Sequence, residues 1–215
     1  MQDTSFWLLF LSAAFAINIS PGPDIVYIVS KTIAQGRKIG FASSLGVSTG
    51  ALFHVFAAAL GLSAILATSA IAFSIVKYAG AAYLIYLGIK SFLSNGTTFE
   101  KTDKNENIST PWQAFRQGVM IDILNPKVAI FFMAFLPQFI RPDYGSTTAQ
   151  IIGLGALVVL MAIPIEFAIV LTASQTTSFF RQNRNFSIWL DRILGSVLIG
   201  LAIRLALIER GASPN

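Results

Sequence analysis

The sequence predicts an all-α integral membrane protein: six transmembrane helices in two inverted three-helix repeats, with helices 1 and 4 broken at proline motifs. Three observations lead there. The 215 residues are 54% hydrophobic and only 12% charged, a charged fraction well below that of a soluble domain, and mean hydropathy is +0.68. Apolar runs of about 20 residues, each long enough for a bilayer core of roughly 30 Å, recur along the chain. Lys and Arg collect in alternate links between those runs, as cytoplasmic loops do. No β-barrel alternation is present, so the spans are read as helices, which satisfy their own backbone hydrogen bonds in lipid.

The first span runs from about Phe6 to Ser30 and contains "NISPGPD" at its centre. Its start lacks Lys and Arg, unlike a cleaved signal peptide, so it is expected to stay as a span. The second runs from Gly40 to Leu66 and the third from Ile71 to Leu93. A polar loop follows, at about 95–111. The fourth span runs from Trp112 to Ile140, the fifth from Thr148 to Ala173 and the sixth from Ile188 to Ile208. The whole chain, 1–215, reads as one transporter domain: repeat one at about 1–94, the loop, and repeat two at about 112–215.

Lys31, Arg37 and Lys38 follow span 1; Lys90, Lys101, Lys104 and Arg116 follow span 3; Arg181, Arg184 and Arg192 follow span 5. The other links hold only Arg141, while Arg204 and Arg210 flank the C-terminus. The three basic links therefore belong in the cytoplasm and both termini outside. The net charge of +5 is explained by this bias rather than by nucleic acid. No cysteine is present, which removes thiol chemistry, disulfides and cysteine metal sites. There is no GxxxxGK[ST] phosphate loop and no nucleophile–base constellation, so neither an ATPase nor another enzyme is expected. No cofactor is implied, and one His with scattered carboxylates makes a metal site unexpected.

The two halves share faint similarity. "PDIVYIV" in span 1 aligns with "PKVAIFF" in span 4, and Lys77, Gly80, Gly88 and Lys90 echo Arg192, Gly195, Gly200 and Arg204. Three spans per half would lie inverted in the membrane, as in many secondary transporters.

Pro21 and Pro23 free the carbonyls of Ile17 and Ile19, and Gly22 allows a change of direction. Such a break is tolerated in lipid only inside protein or beside a water-filled cavity. Two half-helices result, the second opening at Pro23 with Asp24 in its first turn. A simple kink capped by Asp24 is the alternative, but an intramembrane carboxylate is costly and usually functional. Span 4 repeats the theme: Pro126 frees the carbonyl of Asp122, and Asp122, Asn125 and Pro126 share a face that Lys127 adjoins. If the two breaks cross, Asp24 and Lys127 become partners, in a pair whose breaking and re-forming could act as a switch. Pro164 and Glu166 in span 5 add a third carboxylate, which could instead hold a neighbouring helix. Gly46, Gly50 and His54 share one face of span 2, which brings His54 into protein as a hydrogen-bonded residue or a proton relay. Lys77, near the outer end of span 3, is expected to snorkel.

The combination of "SPGPD", "GRKIGF", "GVSTGALFH", "YLIYLGIKSF", "NPKVAIFFMAFLPQF" and "LDRILGSVLIGLAIRLAL" resembles the LysE/RhtB amino-acid exporters over nearly the whole length. The resemblance implies a bacterial inner-membrane efflux protein, driven by an ion gradient, that exports amino acids or close derivatives without ATP. It carries Pro21, Gly22, Pro23 and Asp24, then Asn125, Pro126 and Lys127, onto the family's motif positions. Asp122 departs from the neutral residue often found there, which bears on substrate charge or coupling. A zwitterion needs an anion site, suited by half-helix N-termini with Lys127, and a cation site, suited by Asp24 or Asp122. Proton antiport needs a buried carboxylate that takes up a proton, and Asp24, Asp122 and Glu166 are the candidates. The expected partners are an amino-acid-like solute, protons and the lipid bilayer, with a homo-oligomer left open. A channel, a non-transporting subunit of a membrane complex, or an exporter of a different solute are the alternatives.

Overall fold

The structure is a computed structural model that describes residues 2–68, 70–94, 109–141, 144–182 and 184–207. Most of the expected loop at 95–111 lies outside the described residues, with Lys101, Lys104 and Arg210; so do the side chains of Arg181, Arg184 and Arg204. The described residues are helical throughout, with no strand. The helices are α1 (Gln2–Ile19), α2 (Pro23–Gln35), α3 (Arg37–Thr68), α4 (Ala70–Phe92), α5 (Pro111–Ile123), α6 (Pro126–Ile130), α7 (Thr147–Gln182) and α8 (Arg184–Leu207).

α1 and α2 meet at a 49° bend, and α5 meets the segment opened by α6 at a 50° bend. Both breaks fall where proline removes a donor. α1 ends with the Ser20 N–H donating to the Ala16 carbonyl, and α2 restarts with Val26 N–H to the Gly22 carbonyl, each at 3.0 Å. α5 starts in a capping box: Thr110 Oγ1 accepts from Gln113 N–H and Gln113 Oε1 accepts from Thr110 N–H. α6 starts at the Asn125 side chain, whose Oδ1 accepts from Lys127 N–H at 3.1 Å. Beyond α6 the chain widens into a π turn (Phe131–Phe135) and then tightens into a 3₁₀ turn (Leu136–Phe139). Pro137 lies in that 3₁₀ turn, and the half-helix after the break at Pro126 is thus only partly α-helical. α7, by contrast, passes through Pro164 without ending.

Among the described residues two helices are long and apolar enough to cross a membrane, Arg37–Gly61 and Thr147–Ala173; each bent pair, counted as one span, raises this to four. α4 and α8, where spans 3 and 6 are expected, do not pass the same test over their described residues. They pack together instead, with Gly88 and Gly195 each lacking room for a side chain against the other's backbone. The link after span 1 also differs from expectation. Only Gly36, at φ 86°, separates α2 from α3. Lys31 is therefore inside α2 and buried, with Ser109 Oγ at 3.5 Å, and Arg37 Nη2 donates to the Leu171 carbonyl of α7. Lys77 is buried too, its Nζ reaching the Ala206 carbonyl near the end of α8 at 3.4 Å.

The core centres on rings. Phe10 of α1 meets Phe139 edge-on at 5.2 Å, and Phe131, Phe135 and Phe139 contact in series at 5.0 and 4.9 Å. Val55, Leu84, Ile151 and Leu198 from α3, α4, α7 and α8 close around this plug. The paired rings add to the area they bury, and the plug fixes the far side of both breaks.

Candidate functional site

The bends bring their charged residues into contact. Lys127 Nζ lies 3.0 Å from Asp24 Oδ2 and 3.2 Å from Oδ1, and donates to the Ser20 carbonyl at 2.9 Å. The ammonium thus uses a carbonyl at the first break as its third acceptor. Lys127 is 4% exposed and Asp24 7%. Gly22 is extended, with φ −157° and ψ 179°, so its backbone needs no glycine. Space does: a Cβ there would run into Asp24 Oδ1 and stand 2.8 Å from Lys127 Nζ.

α3 brings the second break inward. Gly50 has no room for a Cβ, which would stand 2.7 Å from Asp122 Cβ and 2.8 Å from the Val119 carbonyl. One turn on, His54 Nε2 lies 2.9 Å from the Asp122 carbonyl, the group that Pro126 frees from its helical donor. A carbonyl only accepts, so the His54 proton in this contact sits on Nε2. Asn125 N–H also donates to that carbonyl, at 2.9 Å. His54 is thereby a clamp on the break. The Asp122 side chain is 1% exposed and its Oδ2 accepts no hydrogen bond; Asn125 Nδ2 is likewise buried and donates to none.

Glu166 is buried between α7 and α3, where its Oε2 accepts from Ser44 Oγ at 2.7 Å and Ser48 Oγ at 3.0 Å. The two serines were not singled out from the sequence, although their spacing of four puts them on one helix face. Nothing in the chain told which helix that face would meet.

Two spaces flank the ion pair. One, of about 520 Å³, is lined by Pro21, Gly22, Pro23, Asn125, Pro126 and Lys127 from the breaks and by Tyr83, Tyr86, Lys90 and Asp191 from α4 and α8. Asp191 is buried and accepts from Ser94 Oγ at 2.7 Å; the sequence analysis did not single it out. The other, about 30 Å³, is lined by Asp24, Asp122, Lys127, Glu166, Asn18 and the plug residues Phe131 and Phe132, among others. Lys127 borders both. Of the residues expected at the site, His54 alone lines neither space; it acts on the backbone behind Asp122. Among the described residues no three His, Cys, Asp or Glu side chains converge as metal ligands.

The ion pair is thus buried where the two helix breaks meet, with a space on either side. Comparison with known proteins supplies the family. The chain is 33% identical over 208 residues to the uncharacterized membrane protein YrhP of Bacillus subtilis (strain 168), covering 93% of this chain and 98% of the relative. It is 28% identical over 205 residues to an uncharacterized membrane protein of Vibrio cholerae, covering 95% and 98%. A third, from Pseudomonas aeruginosa, is 26% identical over 206 residues, covering 94% and 95%. No solved structure matches the chain. The model of the LysE type translocators matches residues 15–209, nearly the whole length and both proline breaks, so the chain belongs to this family of membrane transporters.

Proposed function

We propose that the protein is a secondary active exporter of amino acids or their close derivatives across the bacterial inner membrane, working by proton antiport. The observation that carries this reading is the Asp24–Lys127 pair between the two spaces. A zwitterion offers an ammonium for Asp24 and a carboxylate for Lys127, so it can replace each partner of the pair by one of its own charges. The Asn125 amide, a buried donor without an acceptor beside the larger space, adds a hydrogen bond for the substrate carboxylate. A space of about 520 Å³ falls in the ordinary range for small-molecule sites.

The direction of transport fits as well. By the basic-loop bias, the C-terminal end of α4 and the start of α8 face the cytoplasm. The larger space is bordered by Lys90, Ser94 and Asp191 at those ends, so it loads from the cytoplasm, while the phenylalanine plug bars the outer side. The halves 1–94 and 112–215 form two inverted repeats of three spans. Supporting this are the near-equal bends of 49° and 50° at the two proline breaks. Rocking of the repeats about the fixed pair would then expose it alternately to either side.

The test is to overproduce the protein in a bacterial host, feed dipeptides, and measure every amino acid in the medium. One or a few amino acids should accumulate outside above their internal level, and an uncoupler should abolish this while ATP is maintained. Export that never exceeds the internal concentration indicates a channel, and uphill export that survives the uncoupler excludes proton antiport.

A further inference from the structure

Around the small space stand three carboxylates and one ammonium: Asp24 on α2, Asp122 on α5, Glu166 on α7 and Lys127 on α6. Their surroundings differ in kind. Asp24 is held by Lys127, and Glu166 Oε2 takes two serine hydroxyls. Asp122 Oδ2 is as buried as either and takes no donor. An ionised carboxylate oxygen without a donor is a costly thing to bury, and a proton on that oxygen removes the charge while creating a donor. The space it borders has room for about one water molecule, so it admits a proton carrier and no amino acid.

We propose that Asp122 is the proton-binding site of this carrier, spatially distinct from the substrate cavity. The proton sits on Oδ2, enters and leaves through the water-sized chamber, and is exchanged once per transport cycle. This rests on the exporter reading above. The charged and titratable groups facing Asp122 are Asp24 from α2, Lys127 from α6 and Glu166 from α7; His54 from α3 touches only its backbone oxygen. Tyr27 and Lys31 of α2 meet α5 and its approach nearer the start, at Ala114, Gln117 and Ser109. Protonation of Asp122 leaves one ammonium for two carboxylates, and a zwitterion whose ammonium meets Asp24 while its carboxylate keeps Lys127 brings a second ammonium to the edge of the chamber. Proton release from Asp122 is favoured at that moment, since the added positive charge lowers the cost of the ionised form. Substrate and proton thus influence one another across the Asp24–Lys127 pair, which is the coupling an antiporter requires.

The experiment is an infrared difference titration of the full chain in liposomes, between alkaline and acidic choline chloride buffers. Wild type should show a protonated-carboxyl band that grows on acidification. Asp122→Asn should lose that band, Asp122→Glu should retain it at a shifted frequency, and Glu166→Gln should keep it. A band unchanged in Asp122→Asn, or lost in Glu166→Gln, overturns the proposal; so does a band that sodium chloride suppresses and choline chloride does not, which marks a sodium site. Asp122→Glu keeps the test decisive if Asp122→Asn fails to elute as a monodisperse species. The measurement asks nothing of transport. An intact Asp122 band without any amino-acid export therefore overturns the exporter reading alone, whereas export with an Asp122-independent band overturns the proton site alone.

Discussion

Neutralising the buried pair one partner at a time should harm the protein more than neutralising both. Asp24→Asn keeps the shape of the side chain and one oxygen that accepts from Lys127 beside the Ser20 carbonyl at 2.9 Å, but removes the negative charge that balances the ammonium. Lys127→Met removes all three contacts of the ammonium and leaves Asp24 charged beside a methionine. Breaking a buried pair by removing one partner costs about 3–5 kcal/mol. Asp24→Asn belongs at the low end because two acceptors for the ammonium survive, and Lys127→Met at the high end. In the double variant no charge is left uncompensated. The remaining cost is that of buried polar groups without partners, the Ser20 carbonyl and the new amide at position 24, about 1–3 kcal/mol each. The two changes should therefore be strongly non-additive, with an interaction of several kcal/mol in favour of the double variant; at 1.4 kcal/mol per factor of ten, this is a large recovery of folded protein. The assays are folded yield by fluorescence-detected gel filtration, resistance to SDS unfolding, and efflux from cells. Both singles should lose folded yield and efflux. The double variant should regain yield while exporting nothing, because the groups that meet the substrate are gone. A double variant as unstable as the sum of the singles would refute the pairing argument. Singles that export at the wild-type rate would move the site to Asp122 and Glu166.

Two further outcomes are expected. Gly50→Ala puts a methyl 2.7 Å from Asp122 Cβ and should cost about 1–3 kcal/mol of overpacking as α3 is forced from α5; Gly61→Ala, with nothing within 4 Å of its Cβ, should not destabilise, and equal unfolding midpoints for the two would sink the close-packing account. Single cysteines placed by Lys104→Cys and by Ser146→Cys in this cysteine-free chain should react oppositely with an impermeant maleimide on whole cells, only the second being labelled from outside; labelling at position 104 would reverse the topology.

The membrane class, the helical content and both break points were legible in the sequence because each follows from local rules. Apolar length marks a span, and proline at 21, 23 and 126 removes a donor wherever it falls. The opposite charges after Pro23 and Pro126 suggested a pair for the same reason: neither is tolerable alone in lipid. Which groups complete the site depended on how the helices pack. Ser44 and Ser48 are ordinary helix residues until α7 lays Glu166 against them. The sequence left His54 open as a hydrogen-bonded residue or a relay, and the position of α5 set its partner, the Asp122 carbonyl. Lys31 carried the charge of a loop and is buried in α2, since a single glycine suffices for the turn to α3. Gly22 looked like a conformational hinge and is extended; what it supplies is room for an ammonium that arrives from a segment about one hundred residues away in the chain. Local sequence marks where a helix loses a backbone donor, at Pro21, Pro23 and Pro126 and equally at Pro164, which α7 passes without ending. Only the tertiary structure decides which buried polar atoms find partners and which, like Asp122 Oδ2 and Asn125 Nδ2, are left open, since that depends on the close approach of helices distant in sequence.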